Sequence, residues 1–288
     1  MLTVQILING LLLGGLYACI AAGFSLVWGV LNIINILHGS FIVLGSYIAY
    51  FAYIYLGIHP FLMAPFAGLA LFGLGYLLQR GIINYVVTAP VLVTLTLTFG
   101  LDLLLNNGML QAFTADYRKV NLTHPLGNWF VGDIVVPLDR LAAMLLSLLF
   151  VLVLWWVLRT FRIGRAIVAV RMDREAAALM GVKVAQIYAV TFGIGAVMAG
   201  TAGSLLSVIF PISPLASIAY LGKAFVVCVL GGLGSIPGVI IGGFALGIIE
   251  SFGALYFGSE HALTVSFVLL IVLLVVRPTG IMGRKGYE

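Results

Sequence analysis

From Met1 to Gln79 the chain carries no Lys, Arg, Asp or Glu. No water-solvated domain forms from such a stretch, because its outer surface needs charge. A helix crosses the roughly 30 Å hydrocarbon core with about 20 apolar residues at about 1.5 Å each, so the stretch holds about three crossings. The remainder continues in kind, since only 8% of the 288 residues are charged, against about 25% in soluble domains. A β-barrel would alternate polar and apolar residues over segments of about ten. Here the apolar runs are unbroken, as from Leu141 to Leu158. The expected fold is all-α, a single transmembrane domain over 1–288 built as a polytopic helical bundle of about eight spans.

The spans are predicted at 4–29, 40–57, 61–79, 91–112, 141–158, 186–209, 222–256 and 262–276. The start lacks a basic n-region and an A-x-A site, so Thr3 to Val27 reads as a retained span. The seventh span is too long for one straight helix. Gly231, Gly232, Gly234, Pro237 and Gly238 interrupt it, making it two crossings or a broken, re-entrant segment. A second break is expected from Asn32 to Ser40. Non-helical backbone persists at membrane depth only where protein or a water-filled cavity satisfies its polar groups. Paired interruptions of this kind point to a transport path, although no residue-level repeat accompanies them.

Loop charge sets the orientation. The loop at about 159–185 holds Arg159, Arg162, Arg165, Arg171, Arg174 and Lys183 against Asp173 and Glu175. The loop at about 113–139 balances Arg118 and Lys119 with Asp116, Asp133 and Asp139. The positive-inside rule places the first loop in the cytoplasm, with Arg80, Arg277, Arg284 and Lys285, and the second outside. Counting back five spans leaves the N-terminus outside. Within the basic loop, Asp173 is a fitting N-cap, Arg174 to Met180 make about two helical turns, and Gly181 is a fitting stop. Ala176, Leu179 and Met180 form a small apolar face. So short a helix is marginal alone and suits a knob docked on a partner, whereas a plain solvated loop is the other reading.

Several landmarks then fall in one order. Asn35-Ile36-Leu37-His38-Gly39 with Leu44-Gly45-Ser46-Tyr47, the run Gly231-Gly232-Leu233-Gly234-Ser235-Ile236-Pro237-Gly238, and Arg277-Pro278-x-Gly280-x-x-Gly283 resemble stretches of branched-chain amino acid permeases. Gly164-Arg165-Ala166 is a further landmark of that resemblance, and Glu175-Ala176-Ala177-x3-Gly181 resembles the start of the EAA loop through which permeases of ATP-binding-cassette importers meet their ATPases. The resemblance implies the smaller, H-type permease, working as a heterodimer with a second homologous permease, two ATP-binding subunits and a periplasmic binding protein in a bacterial or archaeal inner membrane. It implies no cofactor in this chain, ATP and Mg being held by the partner subunits. Ile36 and Leu37 replace Phe-Ala, Ser46 replaces Ala, and Val168 stands where Arg is common, so urea or short amides are alternative cargoes.

Polar residues inside spans are costly and mark candidate sites. Asn32, Asn35 and His38 cap the first break or line the path. Thr94 and Thr98, at i and i+4, share one face that Asp102 and Asn106 continue; Asp102 either pairs structurally or lines the path. Lys223 and Glu250 are candidates for an ion pair. Gly243-x3-Gly247 and similar spacings suit close helix packing. Cys19 and Cys228 lie in apolar runs and share no metal or redox spacing. His38, His59, His124 and His261 are scattered, and none forms a metal-ligand spacing. No GxxxxGK[ST] loop occurs, so the chain is not expected to hydrolyse ATP. A self-sufficient secondary transporter would need a carboxylate cluster, and only Asp102 and Glu250 qualify.

Overall fold

The stretch that is uncharged up to Gln79 folds into α1 (Leu2–Leu31), α2 (His38–Leu56) and α3 (Pro60–Gly81), whose last turn brings in Arg80. There follow α4 (Val91–Phe113), a hairpin of β1 (Asn128–Val131) and β2 (Ile134–Pro137), and α5 (Leu138–Thr160). Two short helices, α6 (Arg162–Met172) and α7 (Arg174–Leu179), precede α8 (Val184–Ile209), α9 (Ser217–Gly231), α10 (Ile236–Phe257) and α11 (Ala262–Val276). This computed structural model describes residues 2–123, 125–258, 261–276 and 280–282. His124, Arg277, Pro278, Gly283, Arg284 and Lys285 lie outside the described residues.

Among the described residues, eight helices are long and apolar enough to cross a membrane. The expected segment 222–256 is two of them. α9 begins five residues earlier than predicted, at Ser217, and a turn at 232–235 separates it from α10. Pro237 and Gly238 therefore belong to the first turn of α10 and not to the break. Proline suits that position, because the first amides of a helix lack intrahelical partners anyway. α11, with 15 residues, is about 22 Å long and shorter than the hydrocarbon core.

α1 and α8 form the buried heart of the bundle. α1 crosses α10 through Gly10, Gly14 and Ala18 against Gly243 and Gly247. A Cβ added at Gly14 would lie 2.6 Å from Phe244 Cα, and one at Gly243 2.7 Å from Ala18 N. Backbones in such contact leave no room for side chains, which is what small residues at four-residue spacing permit. α8 approaches α2 likewise, a Cβ on Gly45 meeting the Gly200 carbonyl at 2.6 Å.

The 113–139 loop contains a hairpin that the hydrophobic pattern did not reveal. Val131 pairs with Ile134 across Gly132-Asp133, and Gly132 takes φ +63°, the left-handed backbone such tight turns require. Gln5 of α1 docks it like an extra strand residue: Nε2 donates to the Val135 carbonyl at 2.8 Å, and Oε1 accepts from Val135 N at 2.9 Å.

Candidate functional site: the coupling loop and the broken segments

α7 is closed at both ends by its own sequence. Asp173 Oδ1 accepts from the amides of Glu175 at 2.8 Å and Ala176 at 3.0 Å. At the other end Gly181, at φ +85°, donates to the Ala178 carbonyl, while Val182 N donates to the Ala177 carbonyl. That pair of bonds is the Schellman pattern, and a side chain at Gly181 would strain it. Glu175 sits in the first turn, where a negative charge favours the helix dipole. Ala177 is buried against the body of the protein, and the rest of the helix faces away. Leu179 is 89% exposed, Met180 85% and Met172 78%. Ala176 is exposed beside them. An apolar tip of this size on a six-residue helix needs a covering surface.

α6, which supports it, was not foreseen. Its buried residues Gly164, Ile167 and Val170 follow each other at intervals of three, a signal present in the sequence but overshadowed by its arginines. Arg165 lies on the exposed side of α6. Arg171 turns inward, and its Nη1 donates to the Gly234 carbonyl at 2.7 Å. Ser25 Oγ of α1 accepts from the Gly234 amide at 3.0 Å. Gly234 has φ +75°, and a Cβ there would lie 2.7 Å from Arg171 Nη2. The loop that presents α7 is thus bonded to the turn between α9 and α10.

Of the glycines at that turn, Gly231 ends α9, and Gly232 and Gly234 take φ of +97° and +75°. Gly231 and Gly238 touch backbone to backbone, each lacking space for a Cβ. Further along the chain, Ile281 N donates to the Leu230 carbonyl at 2.8 Å and Met282 N to the Gly231 carbonyl at 3.1 Å. These bonds occupy carbonyls that the end of a helix leaves without intrahelical partners.

The first break runs back into the bundle. His38 Nε2 lies 2.9 Å from the Ile20 carbonyl. Ile20 lies eleven residues before the end of α1, about 17 Å along its axis, and an extended chain of six residues spans about 20 Å. Residues 32–35 therefore run back along α1, and a turn in which His38 N donates to the Asn35 carbonyl at 3.3 Å starts α2 inside the bundle. A carbonyl only accepts, so Nε2 carries the proton, and the buried Nδ1 is left without a partner. Asn35 Oδ1 is likewise buried and unpartnered.

α4 is held against this break by its polar stripe. Thr98 Oγ1 donates to the Ile34 carbonyl at 2.9 Å, and Ser40 Oγ donates to Asp102 Oδ1 at 2.5 Å. Asn106 Nδ2 donates to Ser217 Oγ at 2.7 Å, tying in the start of α9. Thr94, at the buried foot of the stripe, bonds back to the Val91 carbonyl at 2.9 Å. The structure thus gathers Asn35, His38, Thr98 and Asp102 around one re-entrant stretch. Asn32 stands apart: it is exposed at the end of α1 with φ +54°, a left-handed position that asparagine tolerates better than most residues. Sequence reasoning missed Ser40, Ser217 and Ser25, because a serine in an apolar run shows no partner until the fold brings one.

The family described as branched-chain amino acid transport system / permease component matches residues 6–276. The chain is 34% identical to the high-affinity branched-chain amino acid transport system permease protein BraD of Pseudomonas aeruginosa, over 99% of this chain and 97% of the relative. It is 35% identical to LivH of Escherichia coli K12, a protein of the same description, over 99% and 96%. LivM of that organism, also a permease of a high-affinity branched-chain system, is 27% identical over 93% of this chain and 68% of its own length. No solved structure matches. Matched by the family model over residues 6–276 and by these relatives over nearly its full length, the chain belongs to the family of branched-chain amino acid transport permease components.

Proposed function

We propose that this chain is the membrane-spanning permease subunit of an ATP-driven importer of branched-chain or related small amino acids, set in a bacterial or archaeal inner membrane. The observation that carries the reading is the capped helix α7. Its apolar tip of Leu179 and Met180 projects from the most basic loop of the chain. A groove on an ATP-binding subunit is the partner for that tip, and the excess positive charge of the loop supports a cytoplasmic position. Closure of the ATP-binding subunits pushes on α7, and the Arg171–Gly234 bond carries the displacement to α9 and α10. ATP and Mg belong to those subunits, while a periplasmic binding protein delivers the amino acid.

α4 supports the pairing with a second homologous permease. Its inner face carries the polar stripe, and its opposite face exposes Thr96, Asn107 and Gln111 beside Gly108, whose added Cβ would meet nothing within 4 Å. Polar and small residues mark helix contacts within a membrane better than contacts with lipid.

The reading is tested by ATP-dependent leucine uptake into proteoliposomes holding the co-purified complex, with and without Gly181→Asp. The substitution places a side chain at φ +85°, opens the end of α7 and is expected to release the ATP-binding subunits together with uptake. Movement of solute by this chain alone, down an ion gradient, would sink the proposal.

A further inference from the structure

Lys223 of α9, Glu250 of α10 and Tyr17 of α1 meet deep in the bundle. Lys223 Nζ donates to Glu250 Oε1 at 2.6 Å and to the Tyr17 hydroxyl at 2.8 Å, and it stands 4.8 Å from the centre of the Tyr17 ring. Glu250 is fourteen residues into α10, about 21 Å from the end at the 232–235 turn and about 10 Å from the other. Neither the coupling loop nor the re-entrant stretch uses these groups.

We infer that this cluster is the station that receives the head group of a zwitterionic amino acid during translocation, an inference that rests on the importer function proposed above. Three features point there. The carboxylate is only half used, since Glu250 Oε2 is buried and has no hydrogen-bond partner. The pair is not sealed, since the side chains of Lys223 and Glu250 keep 14% and 12% of their surface exposed. Finally, a charge pair at this depth is expensive, and apolar residues of similar size hold helices together as well or better.

A zwitterion matches the two charges without adding any. Once the cluster opens to admit it, its ammonium takes the unpartnered Oε2, and its carboxylate takes a donor of Lys223, which has three. The single ion pair becomes a closed alternation of four charges with no net change, so the cargo passes without an uncompensated charge in the hydrocarbon. A free amine or free acid supplies half of the match and leaves one charge unpaired. Urea supplies neither. Nothing in the cluster reads the aliphatic side chain, so the station selects neutral α-amino acids as a class.

The test uses the assembled complex in two ways. Without binding protein, L-leucine is expected to raise the thermal stability of the solubilised wild-type complex. Leucinamide, which lacks the carboxylate, and 4-methylpentanoate, which lacks the ammonium, are expected not to. In proteoliposomes, Lys223→Met with Glu250→Met is expected to lower ATP-driven leucine uptake by at least about tenfold, while the complex still assembles and elutes as a single species in size-exclusion chromatography. Glu250→Gln, which keeps a hydrogen-bonding side chain, is expected to lose uptake with the pair's neighbours intact. Stabilisation by the amide or the acid equal to that by leucine overturns the station, as does uptake by the double variant within about twofold of wild type. Those results leave the importer standing; loss of ATP-driven amino-acid uptake in the wild-type complex removes the importer reading itself.

Discussion

Arg171→Met keeps the aliphatic stem on α6 and deletes the guanidinium that holds the Gly234 carbonyl at 2.7 Å. A hydrogen bond from a charged donor contributes about 1.5–3 kcal/mol net, so the docked state of the 232–235 turn weakens by roughly 10- to 100-fold against its local opening. Ser25 Oγ still holds the amide of the same residue, so the turn loosens without leaving. Hydrogen–deuterium exchange of peptides covering 230–240, with the complex in nanodiscs, reads this directly. Exchange there is expected to accelerate by that factor, while peptides from the α1–α10 crossing keep their protection. Arg171→Lys keeps the charge but not the planar fork, and is expected to fall between. Under the proposed function, ATP hydrolysis in the same samples is expected to persist while leucine uptake declines, since a push on α7 would lose this link to α9 and α10. Unchanged exchange at 230–240 in Arg171→Met would refute the claim that this bond fastens the coupling loop to the turn.

Three further outcomes follow from the geometry. Gly247→Val sets a branched side chain where even a Cβ would lie 2.6 Å from Gly14 N, and is expected to abolish the monodisperse protein in size-exclusion chromatography, whereas Gly108→Ala, facing open space, leaves it unchanged. Asp173→Ala removes the acceptor of two amides and costs α7 about 0.5–2 kcal/mol, so co-purification of the ATP-binding subunits is expected to drop with little change in the melting temperature of the permease alone. Asp102→Leu leaves the Ser40 hydroxyl buried without its acceptor and is expected to destabilise by about 1–3 kcal/mol in thermal unfolding, while Asp102→Asn, which still accepts, loses less.

Hydrophobic run length alone places most spans within a few residues of their observed ends, because a bilayer demands length and little else. The ends of α7 were equally legible, since Asp173 and Gly181 act on their immediate neighbours. What stayed hidden depends on distance in the chain. Lys223 and Glu250 invite pairing by charge, yet nothing local adds the hydroxyl of Tyr17, 206 residues away from Lys223. The start of α9 at Ser217 was missed because Ser217, Tyr220 and Gly222 dilute the apolar run, and Asn106 compensates only in the fold. Arg171 looked like one more positive charge in a basic loop. Its inward turn follows from α6, a helix whose buried face shows only three apolar positions.

The re-entrant stretch 32–37 also sets an order of manufacture. The carbonyl of Ile34 waits for Thr98, 64 residues downstream, and the hydroxyl of Ser40 for Asp102, 62 residues downstream. At about 5–20 residues per second, a ribosome needs about 3–13 s to deliver those partners. For that interval the Ile34 carbonyl and the Ser40 hydroxyl lack the partners that the finished fold gives them, and lipid supplies none. A chain stopped between α3 and α4 is therefore expected to lack both partners and to be less stable in the membrane than one that reaches α4.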